Sequence, residues 1–102
     1  MVKIKIGEIE KEWSEVDEHW INQQINRRRA DGLTVCVRVI VQKDDLNMIL
    51  STPACATSKM RGRTPRPREK ELFDLWDKRG LNDADFTGGN LVAFLKQLKN
   101  IL

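Results

Sequence analysis

The sequence predicts a small α+β protein with a mainly antiparallel three-stranded sheet packed by helices, in the order strand, helix, strand, strand, helix, helix. Three observations predict it. Val35, Val37, Val39 and Val41 recur at a period of two within residues 33–42. Residues 47–52 resume that alternation beyond an acidic turn. Two segments nearer the C-terminus instead repeat apolar residues at three and four, the spacing of an amphipathic helix.

The elements follow in order. Val2, Ile4 and Ile6 alternate with Lys3 and Lys5, a short strand with one wet face, and Gly7 interrupts it as a bulge or as a stop. Ser14 reads as an N-cap with Asp17 in the capping-box position, opening a helix over residues 15–30. Val16, Trp20, Ile21 and Ile25 form its apolar stripe, and Asp31-Gly32 ends it. A longer helix from near Glu8 is the alternative, because Ile9, Trp13, Val16 and Trp20 share a face. Residues 33–42 are apolar on both faces, as in a central strand covered on both sides. A turn centred on Asp44-Asp45 sets Val41 opposite Met48 and Val39 opposite Leu50, so the hairpin register is self-consistent. Were the first two strands neighbours, they would run parallel through a right-handed crossover.

Pro53 stops the pairing, and residues 54–66 read as a flexible basic loop without periodicity. Pro67 suits the first position of a helix over residues 67–79, with Leu72, Phe73, Leu75 and Trp76 inward. Lys78-Arg79-Gly80-Leu81 is a complete helix-ending signal. Thr87 caps the last helix, whose inner face carries Leu91, Phe94, Leu95, Leu98, Ile101 and Leu102.

A chain of 102 residues has room for one hydrophobic core, so residues 1–102 are expected to form a single domain. Its composition, 40% hydrophobic and 32% charged, is that of folded rather than disordered protein. No apolar run approaches the roughly 20 residues of a membrane span, and no membrane partner is expected. The start of the chain lacks the apolar stretch of a signal peptide, which implies a cytoplasmic protein. Cys36 and Cys55, with no C-x-x-C spacing, are read as two small buried thiols. With His19 they make too few ligands for a structural zinc, and no metal or cofactor is expected.

Charge is unevenly placed around a net +3. Glu8, Glu10, Glu12, Glu15, Asp17 and Glu18 crowd the front of the chain, and Arg27, Arg28 and Arg29 follow. Residues 59–68 then hold Lys59, Arg61, Arg63, Arg66 and Arg68 without an acid. Arginines interleaved with glycine and proline keep a backbone extended, so the guanidinium groups can follow phosphates or meet an acidic partner. Arg61-Gly62-Arg63 followed by Pro65 resembles the AT-hook, whose Arg-Gly-Arg core enters the minor groove of A·T-rich DNA. The resemblance covers about ten residues and departs from the motif at Thr64, where the motif has proline. It implies DNA or RNA as a partner, with Arg27 and Arg28 extending the same surface.

Thr87-Gly88-Gly89-Asn90 offers free N–H groups at a helix start, but no phosphate-binding pattern surrounds it. His19 stands beside no serine or cysteine, and catalysis is not expected. Three tryptophans are many for so small a core. Trp13 or Trp20, left exposed, would form an interface, most simply that of a homodimer. The open edge of a short sheet offers the same opportunity. Two functions therefore stand: a non-enzymatic protein-interaction or oligomerisation module, and a nucleic-acid-binding accessory protein using residues 59–68.

Overall fold

The computed structural model describes residues 1–43, 46–55 and 66–102. Over these described residues it is an α+β fold with a four-stranded antiparallel sheet and three α-helices, one strand more than the sequence predicts. The strands are β1 (Val2–Ile6), β2 (Ile9–Glu12), β3 (Val37–Lys43) and β4 (Leu46–Ser51), in spatial order β2-β1-β3-β4. The helices are α1 (Glu18–Ala30), α2 (Pro67–Lys78) and α3 (Gly88–Ile101).

The additional strand is β2, and Gly7 explains it. Ile6 pairs with Ile9, so Gly7 and Glu8 form a two-residue hairpin turn, and Gly7 takes the positive φ of 62° that such turns require. The glycine neither bulges nor stops the strand; it reverses the chain. That reversal corrects the expected parallel pairing as well. β1 and β3 are neighbours, but they run antiparallel, with Ile4 opposite Val39. The chain also enters α1 later than expected. Residues Trp13–Glu15 form a 3-10 turn, Val16 is extended, and Asp17 is the cap, its carboxylate accepting the Trp20 N–H at 2.7 Å. Aspartate serves there at least as well as serine.

The β3–β4 register is the predicted one, Val41 against Met48 and Val39 against Leu50. Alternation places Val2, Ile4, Ile6, Val37, Val39, Val41, Leu46, Met48 and Leu50 on one face, all buried. Ile21 and Ile25 of α1, Leu72 and Trp76 of α2, and Leu91, Phe94 and Leu98 of α3 complete the core. Trp76 meets Phe94 edge to face, with ring centroids 5.1 Å apart. Lys3, Lys5, Arg38 and Ile40 lie half-buried on the other face, so among the described residues β3 is central and packed by helices on one side. Its start is also later than expected, because residues 33–36 lead into the sheet without joining a ladder. Pro67 opens α2, and Thr87 caps α3 by accepting the Asn90 N–H while Asn90 Oδ1 accepts the Thr87 N–H at 2.7 Å.

Cys36 and Cys55 are joined in a disulfide, which corrects the reading of two separate thiols. The sequence conceals the pairing because 19 positions separate the two; the β3–β4 hairpin brings them together. Thr52 locks the same corner. Its buried hydroxyl accepts the Val37 N–H at 3.0 Å and donates to the Val35 carbonyl at 3.4 Å. The disulfide is expected to contribute about 3 kcal/mol, the loop-closure value for this separation. Thermal unfolding with and without a thiol reductant should show the reduced chain melting several degrees lower.

Helices α1 and α3 approach closely at Gly88. A Cβ built there would overlap the Asn22 side-chain amide and come within 3.4 Å of the Asn22 Cα. Gly88→Ala is therefore expected to destabilise the fold by about 1–3 kcal/mol. Gly89→Ala, whose Cβ meets only Thr87 Oγ1 at 3.6 Å, should be neutral or stabilising in the same melting experiment.

Candidate interaction surface

The sheet has two edges that are built differently. β2 spans four residues, all exposed, of which Glu10, Lys11 and Glu12 are charged. A short charged strand of this kind discourages further pairing. β4 spans six residues, Leu-Asn-Met-Ile-Leu-Ser, with no charge and no proline. Among the described residues no other strand pairs with it beyond β3.

The hydrogen-bond phase of β4 follows from its surroundings. Thr52 N–H donates to the Val37 carbonyl at 3.0 Å, and the Val37 N–H also points at β4. Residue pairs 39/50, 41/48 and 43/46 repeat that bonded pattern, because backbone groups alternate along an antiparallel ladder. The N–H and C=O groups of Asn47, Ile49 and Ser51 consequently point outward. The Ile49 side chain is 44% exposed on the helix-free face, directly opposite half-buried Ile40. The same face continues through Lys3 and Glu12 in one row, and through Arg38, Lys5 and Glu10 in the next. Lys3 lies 3.9 Å from Glu10 across that face.

A second feature lies across the molecule, where Trp13 and Val16 meet α1 and α3. Trp13, Val16, Ile21, Val92 and Leu95 line a cavity of about 150 Å³ with Asp17, Glu18, Lys96 and Lys99 among its walls. The expected interface tryptophans are both half-buried, and each carries a lysine. Lys99 Nζ sits 5.9 Å from the Trp13 ring centroid, and Lys11 Nζ sits 5.2 Å from that of Trp20. Trp76 is the one fully taken into the core. Through Lys11, Trp20 stands beside β2, the strand that also carries exposed Ile9.

The basic residues divide three ways. Lys59, Arg61 and Arg63, with the AT-hook-like segment, lie outside the described residues. Arg66 and Arg68 begin α2, where the Arg66 N–H donates to Oε1 of buried Glu69 at 3.1 Å. The triplet on α1 is split by its helical positions. Arg27 is exposed, but Arg28 folds inward over the Gly7 turn, its Nη2 3.4 Å from the Ile6 carbonyl. Arg29 reaches the Phe86 carbonyl at 2.6 Å and stacks 5.1 Å from the Phe86 ring centroid. Two of the three arginines serve the fold.

Exposed His19 has no catalytic partner beside it among the described contacts, and no group of three His, Cys, Asp or Glu side chains there could hold a metal ion. Gly88, the first residue of α3, serves close packing, since it lies against Asn22. No described helix is long and apolar enough to cross a membrane. The sequence reading missed β2 and hence which edges the sheet exposes. The signal was present in Ile6-Gly7-Glu8-Ile9, a glycine turn between alternating residues.

Comparison with known proteins finds no matching family model, no matching curated protein and no matching solved structure. The functional reading rests on the geometry alone. That geometry makes one distinction immediately testable: Arg29→Ala should cost about 1–2 kcal/mol of stability, through the lost carbonyl bond and ring contact. Arg27→Ala should leave the melting temperature within the scatter of the unaltered protein.

Proposed function

We propose that this chain is a non-enzymatic protein-interaction module whose working surface is the β4 edge. The observation that carries the reading is the contrast between the two sheet edges. One is short and charged; the other is a neutral six-residue strand with three residues' worth of outward backbone groups beside an exposed isoleucine. An added strand would satisfy those groups, and the apolar side chains beside them would favour an apolar rather than a charged partner segment.

Nucleic-acid binding through residues 59–68 is the alternative, supported by the arginine content of that segment. Its support from α1 narrows to Arg27, since Arg28 and Arg29 are engaged within the fold. Partner capture from cell extract separates the two readings. Under the interaction reading, partners persist after nuclease treatment and after alanine replacement of Arg61, Arg63, Arg66 and Arg68. They disappear with Ile49→Lys. Loss of every partner on nuclease treatment selects the alternative.

The compartment enters through Cys36–Cys55. Cytosolic thiols reduce most such bonds, whereas oxidising compartments keep them. Alkylation of thiols in intact cells before lysis decides this: two modified cysteines support the cytoplasm, and two protected ones an oxidising location.

A further inference from the structure

We infer that the occupant of the β4 edge is a second copy of this chain, paired antiparallel about a twofold axis through Ile49 to make one continuous eight-stranded sheet. The inference rests on the interaction reading of that edge and names its partner.

Phase is the first support. Only Asn47, Ile49 and Ser51 present outward backbone groups, and they are spaced symmetrically about Ile49. Two such strands laid antiparallel with Ile49 against Ile49 bring Asn47 against Ser51 at both ends. Every outward N–H then faces an outward C=O, with no register slip and no group left over.

Charge is the second. Leu46–Ser51 contains no ionisable side chain, so self-pairing opposes no like charges. The nearest cations on the helix-free face, Lys3 and Arg38, stay a full strand or more from the axis, behind Ile40 and Ser51 respectively. Self-pairing of β2 would instead crowd Glu10 and Glu12 together.

Side chains supply the third. The axis joins Ile40 and Ile49 of one copy to Ile49 and Ile40 of the other, an unbroken apolar row on the face that no described helix covers. On the helix side Met48 meets Leu50 of the second copy. Exposed Asn47 of the second copy falls opposite Ser51 at both ends of the paired strands.

Sedimentation equilibrium of the full chain, from micromolar to near-millimolar concentration, tests the inference. The weight-average mass should rise from one chain to two, and Ile49→Lys should weaken association at least tenfold while leaving the circular dichroism and melting temperature unchanged. Hydrogen exchange supplies the independent reading: amides of Asn47, Ile49 and Ser51 should gain protection as concentration rises. A chain that stays monomeric throughout overturns the inference, as does a dimer in which those three amides gain nothing. If the chain is monomeric yet loses its captured partners with Ile49→Lys, self-pairing falls and the interaction reading survives. If Ile49→Lys changes neither, both fall.

Discussion

Alignment of the period-two pattern across β1, β3 and β4 is the constraint on which the rest of this structure depends. Ile4, Val39 and Leu50 lie in one row, Val2, Val41 and Met48 in another, and a slip of one residue in any strand would turn its apolar set into solvent. The fixed register decides which face the helices cover. It also sets the hydrogen-bond phase of β4, and so which backbone groups remain at the edge. The features offered to partners are thus by-products of the way the core is closed.

The corner at the start of β3 reinforces that register from outside the core. Thr52 substitutes its hydroxyl for a ladder partner of Val37, and the Cys36–Cys55 bond holds the two chain segments that leave the hairpin. Arg28 does comparable work one strand away at the same end of the sheet, where the Gly7 N–H donates to the Cys36 carbonyl. Its guanidinium fills the space beside Gly7 that a side chain there would occupy, joining the β1–β2 hairpin to α1. Arginines that look on paper like a basic surface are in part the pegs that fasten a helix to its sheet.

Much of the fold was legible in the residues. The β3–β4 register, the Pro67 start of α2, the Thr87 cap and the inner face of α3 all follow from local chemistry, and the structure contains them. What was not legible depended on distant groups. Glu10, Lys11 and Glu12 have no strand character of their own and are held by pairing with β1. Cys36 and Cys55 meet because two strands fold back. The candidate surface was legible only as a category, an open edge on a short sheet. Identifying it as β4 required knowing that β2 occupies the other side. Nothing local distinguishes Arg28 from exposed Arg27, because the Ile6 carbonyl that Arg28 meets lies 22 positions away.

The unequal burial of the tryptophans has a practical consequence. The chain contains no tyrosine, so its near-ultraviolet emission comes from three indoles alone. Trp76, enclosed with Phe94, reports on the interior, while half-exposed Trp13 and Trp20 sit where a soluble quencher can reach them. Emission colour and quencher access therefore read two different parts of the molecule at once, without any label being attached.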